Sequence, residues 1–226
     1  MKKFYPDSGV ELTPFISRHY DKVMTVGSLG FYSRFIKQAI AEMHIRKNDH
    51  ILDLGCGTGR NAQLMSQYLK DGGRITGLDI SEAMEQQFVE KFKKDNRIKF
   101  VNRRIDQPVD LQESFDKVFI SFVIHGFPNE VRNIVIKNAF DHLKPGGAFY
   151  ILDFAEFDMD AMPFLYRAVF KAVECKYAFD YIKRDWRKIL KTKGFTEFEE
   201  HLYMKKYVRL LKAVKPHQVF NRIQNP

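Results

Sequence analysis

The chain holds one cluster of residues whose types and spacing point to chemistry. The apolar run His50-Ile-Leu-Asp-Leu54 leads directly into Gly55-Cys-Gly-Thr-Gly59, and the next apolar run, Arg74–Asp79, ends on a second carboxylate. A buried strand entering closely spaced glycines and then a helix makes a tight turn at which backbone can approach a ligand at a helix N-terminus. Such a turn suits a nucleotide-like molecule. A dinucleotide fits poorly, because the position three beyond Gly57 is Arg60, where that fingerprint requires a small residue for helix packing. Asp53, just before the turn, would repel a pyrophosphate but attract an ammonium group. Asp79 lies near the interval at which an acidic residue accepts hydrogen bonds from ribose hydroxyls.

Adenosine, an ammonium group and no phosphate together describe S-adenosylmethionine. In the plainer alternative the glycines only permit a turn, Asp79 begins a helix cap and Asp53 is a satisfied polar group, which leaves the joint spacing unexplained. Ile51–Gly59, Gly77-Leu-Asp-Ile-Ser81, Phe115-Asp-Lys-Val-Phe119 and Leu143-Lys-Pro-Gly-Gly147 occur in the order of the class I methyltransferase motifs, and the stretch of roughly residues 45–155 resembles that family. The resemblance implies a Rossmann-like, seven-stranded, mostly parallel α/β sheet with an antiparallel final strand and helices on both faces. It also implies that Asp53, Gly55 and Gly57 serve the methionine side of the cofactor and Asp79 the ribose. Cys56, Gly59, Ile80 and Ser121 complete the expected cofactor set. The family commonly has an acid after the third strand for the adenine amino group. Here Arg104 falls near that place, and Asp106, two residues on, is the candidate, with an exposed loop acid as the alternative.

A methyl sulfonium is already activated and its leaving group departs neutral, so the protein must mainly align the acceptor and exclude water. Open α/β sheets bind ligands beyond the carboxyl ends of their strands, which brings Ser121-Phe-Val-Ile-His125 into view. His125 suits a general base or an orienting group, or else it satisfies nearby backbone. His19 and Tyr20 lie in an N-terminal segment expected to fold over the cofactor, with Tyr20 a substrate-side candidate, or else they are packing residues with a polar tip. Tyr20-Asp21 with Ser28-Leu29-Gly30 is faintly similar to the N-terminal motif of the ubiquinone and menaquinone biosynthesis C-methyltransferases. The aromatic segment Phe154 through Tyr181 reads first as a helix packed on the core and second as a lid, with Phe157 and Tyr166 as substrate-side positions. The expected acceptor is therefore a small aromatic or apolar molecule. An RNA methyltransferase is the rival suggested by charge, and a non-catalytic S-adenosylmethionine-binding protein is the rival from another class.

These positions need a scaffold, and strand-like and helix-like stretches alternate to provide one. Strands are expected at 50–54, 74–79, 98–102, 115–121, 148–153, 196–202 and 207–214, the last two as an antiparallel hairpin at the sheet edge. Helices are expected at about 32–43, 61–70, 81–94 with Ser81 as cap, 130–142, and 184–193 ended by Gly194. All 226 residues read as one methyltransferase domain, with 1–48 as an N-terminal helical cover, 49–153 as the cofactor-binding core, and 154–226 as substrate-side helices and the final strand pair. The net charge of +9 would favour phosphates or anionic lipid, so nucleic acid and peripheral membrane contact stay open as partners. Lys205, Lys206, Arg209, Lys212 and Lys215 read as a solvated basic face or, alternatively, a polyanion site. Two cysteines without paired spacing and seven histidines without a ligand cluster predict no metal, and the cysteine usage predicts a cytoplasmic setting.

Overall fold

Seven strands, β1 (His50–Leu54), β2 (Arg74–Asp79), β3 (Ile98–Asn102), β4 (Phe115–Ser121), β5 (Leu143–Phe154), β6 (Thr196–Tyr203) and β7 (Val208–Val214), form one sheet in the order β3-β2-β1-β4-β5-β7-β6. The structure is a computed structural model and describes Ser8 and residues 31–217. Strands β1 to β5 pair in parallel, and β7 runs antiparallel to both neighbours, β5 and β6. The closing hairpin thus turns back on itself and inserts its second strand beside β5. This is the Rossmann-like mostly parallel sheet expected from the sequence.

The helices are α1 (Phe31–Ala41), α2 (Arg60–Ser66), α3 (Glu82–Phe92), α4 (Asn129–His142), α5 (Phe164–Val173), α6 (Lys176–Tyr181) and α7 (Trp186–Thr192). Strands buried on both faces lack polar alternation, and β1 shows this: every residue after His50 is buried. On one face Leu52, Leu54, Val118 and Ile151 pack with Val135 and Ile136 of α4, Tyr181 of α6 and Trp186 of α7. On the other, Ile51, Ile75 and Phe119 pack with Ile36 and Ile40 of α1, Met65 of α2 and Phe88 of α3. Helices cover both faces, so the sheet is the middle layer.

Several boundaries differ from the sequence expectation for identifiable reasons. Helix α2 stops at Ser66 because Tyr68 and Leu69 donate to carbonyls three residues back and Lys70 donates to Lys47 O at 2.8 Å, turning the chain toward β2. Ser81 occupies the N-cap position of α3 without a side-chain cap; Asp79 Oδ1 accepts from the Ser81 N–H instead, at 3.0 Å. Helix α7 begins at Trp186 because Asp185 caps it, accepting from Lys188 N–H. Strand β5 starts before the expected residue 148, Leu143 pairing with Phe115, and the motif stretch Lys144–Gly147 lies inside it, where the register with β4 shifts.

Gly59 shows how closely the turn is fitted. Its φ is +76°, and a β-carbon there would lie 2.6 Å from the Phe92 ring and 2.7 Å from the Phe88 ring, both buried. Gly59→Ala is expected to cost about 2–5 kcal/mol of stability, from left-handed backbone strain plus overpacking. Urea unfolding checks this, and a loss below about 1 kcal/mol would mean that the rings yield freely.

Candidate functional site

The sheet order reverses between β1 and β4, the place at which open α/β sheets bind ligands beyond the carboxyl ends of their strands. The glycine turn follows β1, and the loop with His125 follows β4. Gly55 N–H and Cys56 N–H both donate to Leu78 O, at 2.8 and 3.0 Å, which ties the turn to β2. Asp79 at the end of β2 accepts from Gly57 N–H at 3.0 Å through Oδ2 and from Ile80 N–H at 2.8 Å through Oδ1. Burial raises the Asp79 pKa, against the lowering effect of these backbone bonds.

The three glycines are not equivalent. A β-carbon at Gly55 would strike Val123 at 2.9 Å, and one at Gly59 would strike the aromatic rings, but one at Gly57 would meet nothing nearer than Met84 Sδ at 4.0 Å. Among the described residues, then, a β-carbon would be accommodated at Gly57 but not at the glycines on either side of it. Asp53 is 1% exposed and, among the described residues, its Oδ2 has no hydrogen-bond partner. Burial first and the neighbouring Asp79 second push the Asp53 pKa up from its ordinary 3.8 to about 7. A buried carboxylate oxygen without a donor costs free energy that a cationic ligand group would recover. Ser121 Oγ, at the end of β4, is likewise buried and without a hydrogen-bond partner among the described residues. A ligand with an ammonium group and hydroxyls fits this set.

Beyond β4, Phe122 adopts a left-handed φ of 51° and the chain enters a short 3-10 turn, Ile124–Gly126. His125 Nδ1 shares a 2.7 Å hydrogen bond with Asp153 Oδ1 at the end of β5, and its Nε2 lies 3.5 Å from Glu174 Oε2. Burial alone would push the imidazole pKa down, but the Asp153 charge and hydrogen bond, helped by Glu174, hold it above the ordinary 6.5. Burial raises the Glu174 pKa. The loop is held from behind by Arg132, itself buried, which donates to His125 O at 3.0 Å and to Tyr177 O and Asp180 Oδ2 at 2.6 Å each. Ser8 Oγ donates to Gly126 O at 2.6 Å, so a residue near the N-terminus does reach this loop.

Asp153, Glu174 and Arg132 were not singled out from the sequence. Asp153 closes a strand, which is a weak signal, and the other two lie in unremarkable helical surroundings. Asp53, Gly55, Cys56, Gly57, Gly59, Asp79 and Ile80 come together at the turn, with Ser121 at the end of the adjacent strand β4. Asp106 is paired with Arg104, whose Nε donates to Oδ1 at 2.9 Å. Phe157 packs against Phe170 and Tyr207, while Tyr166 lies by Tyr207 and Lys205. His19, Tyr20 and the motif around Ser28–Gly30 lie outside the described residues.

The stretch from Lys205 to Lys215 is not a continuous basic face. Arg209 is buried and held by Glu156 and Glu200, Lys212 donates to Glu199 at 2.9 Å, and Lys215 donates to Phe140 O and Leu143 O at 2.7 Å each. Inserting β7 between two strands turns alternate side chains inward. Among the described residues there is no group of three or more His, Cys, Asp or Glu placed to hold a metal, and no helix is long and apolar enough to cross a membrane.

Residues 51–147 match the model of a family described as a methyltransferase domain. A demethylmenaquinone methyltransferase of Listeria welshimeri is 27% identical over 160 residues, 70% of this chain and 67% of that protein. Among solved structures, a SAM dependent methyltransferase from Aquifex aeolicus has a TM-score of 0.61 at 16% identity, covering 91% of this chain and 100% of that one. The N-methyltransferase NodS from Bradyrhizobium japonicum, in complex with S-adenosyl-L-homocysteine, has a TM-score of 0.57 at 15% identity, covering 83% and 88%. Sheet order, glycine turn and matched model define a class I S-adenosylmethionine-dependent methyltransferase, an enzyme whose cofactor is S-adenosylmethionine. Within that class the chain is weakly related to the quinone C-methyltransferases.

Proposed function

We propose that the enzyme methylates a small aromatic or apolar acceptor, with the cofactor over Gly57 and the acceptor beside His125. The observation that carries the cofactor half is the buried Asp53 Oδ2, without a hydrogen-bond partner among the described residues, at the end of the strand that enters a glycine turn with room at Gly57. Asp53 takes the ammonium group. Asp79 meets the ribose hydroxyls while continuing to brace the turn, and Cys56, Ile80 and Ser121 line the path between. Asp106 serves the adenine amino group in a form already oriented by Arg104. When bound, the cofactor supplies a methyl group on a sulfonium.

On the acceptor side, Asp153 holds His125 through Nδ1, which leaves Nε2 as the proton-accepting nitrogen. Removing a proton from a phenolic hydroxyl enriches the ring carbons, the chemistry that methylation at carbon requires. Phe154, 5.0 Å from the His125 ring, and Phe170 behind it give the acceptor side an apolar, aromatic wall. Phe157 and Tyr166 extend that wall. The relation to quinone C-methyltransferases supports an acceptor of this kind.

The test is labelled methyl transfer from S-adenosylmethionine into fractionated small molecules, lipids and RNA, with identification of the product. Label is expected in an aromatic or apolar small molecule. Label chiefly in RNA, with a steep loss of activity in salt, would overturn the acceptor assignment. Tight cofactor binding without transfer into any fraction would overturn the catalytic reading.

A further inference from the structure

The segment after β5 was expected to pack its apolar residues on the core, and for α5 that holds only in part. Phe170 is buried, but Phe164 is 78% exposed, Leu165 71%, Val169 55% and Val173 73%. Ala168 and Ala172 are exposed between them. At helical spacing these residues make one continuous apolar face turned to solvent. Apolar patches of this kind on a protein surface mark interaction sites.

Lysines stand at both margins of this face, and at one of them no acid accompanies them in sequence. Helix α5 has no acidic residue and bears exposed Lys171. Of the acids nearby in sequence, Asp160 pairs with Arg167, Glu174 lies against His125 and Asp180 is held by Arg132 and Arg184, while exposed Asp158 lines a pocket with Lys171. At the β6–β7 corner Lys205 sits over the Tyr166 ring, its Nζ 5.0 Å from the centroid, and Lys206 and Met204 are exposed beside it. Met204, Lys205 and Lys206 all have positive φ, from 48° to 72°, a left-handed conformation that non-glycine residues seldom adopt in succession. The corner thus keeps cations next to the apolar helix at a conformational cost.

We infer that α5, with Lys171, Lys205 and Lys206 at its margin, is a docking surface for an anionic phospholipid bilayer. The apolar face enters the headgroup and acyl boundary, and the lysines meet lipid phosphates. Charge at the Lys205 and Lys206 margin favours lipid phosphates over a second copy of the chain on this face. An antiparallel two-fold pairing would set the Lys205 and Lys206 margin against its own copy, and α5 itself carries no carboxylate to receive it. The inference stands on the surface alone and holds whatever the methyl acceptor proves to be.

The experiment is co-sedimentation of the full chain with vesicles of phosphatidylcholine alone and of phosphatidylcholine mixed with phosphatidylglycerol. Binding is expected to the anionic vesicles and to be much weaker to the neutral ones. Leu165→Asp and Val169→Asp should each weaken it about tenfold or more, with melting temperature preserved because both side chains are already in water. Lys205→Gln and Lys206→Gln should each weaken it about fivefold. No binding to anionic vesicles would overturn the inference, as would binding that none of the four substitutions alters. Self-association that the aspartate variants abolish, with wild-type protein staying off vesicles, would assign the face to a second copy instead.

Discussion

Replacing His125 with glutamine is expected to cut turnover about 10²- to 10⁴-fold, the range for loss of a general base, while cofactor affinity stays unchanged. The expectation rests on one buried geometry: the imidazole is fixed by Asp153 through Nδ1 at 2.7 Å, and Glu174 stands 3.5 Å from Nε2. It carries a pH signature that loss of structure alone would not produce. The base is active when neutral, so kcat should rise with pH through the His125 pKa and then level off. That inflection should lie above the ordinary histidine range, because Asp153 and Glu174 outweigh the lowering effect of burial. Asp153→Asn should move it to lower pH. Fold stability responds with the opposite slope. A histidine whose pKa is raised on folding contributes stability fully at low pH, and that contribution is lost as pH rises through the raised value. A pH profile identical in Asp153→Asn, or full turnover in His125→Gln, would remove His125 from the mechanism.

Asp53→Asn is expected to weaken S-adenosylmethionine binding about 10- to 150-fold, the effect of losing a hydrogen bond to a charged group, while making the free protein more stable. The two effects separate because the carboxylate is an electrostatic liability without a cation. In the folded protein its pKa rises to about 7, whereas in the unfolded chain it ionises near 3.8. Between those values the unfolded state gives up its proton first, so stability falls as pH rises from about 4 to about 7 and then stays low. The penalty is roughly 4 kcal/mol at most. Asparagine has no such penalty, so thermal melts across this range should show wild type and variant diverging as pH increases. Calorimetry should also show wild-type cofactor affinity growing as Asp53 ionises, with that slope absent in the variant. Parallel melting curves for the two proteins would show that Asp53 is already compensated in the free enzyme.

The turn and its two acids were legible in the sequence because local order encodes them. Strand, glycines and helix are consecutive, and β1, β2, β3 and β4 fall on the expected residues because short apolar runs between helices have few alternatives. The order of motifs also carried the fold class and the cofactor. The acceptor side was not legible in the same way. His125 meets Asp153 from 28 residues away, Arg132 holds Tyr177 O from 45 away, and Arg209 pairs with Glu156 across 53. Pairs so distant are made by strand insertion and helix placement, which no local pattern specifies. The late lysines and arginine made the same point from the other side. Their spacing suggested one basic face, but pairing on both edges of β7 sends Arg209 into the interior and ties Lys212 to a neighbouring strand. For α5, helical periodicity determined that an apolar face exists, since residue type and spacing alone create it. Whether that face meets the core depended on what the tertiary fold sets opposite it, and there only Phe170 finds a buried place.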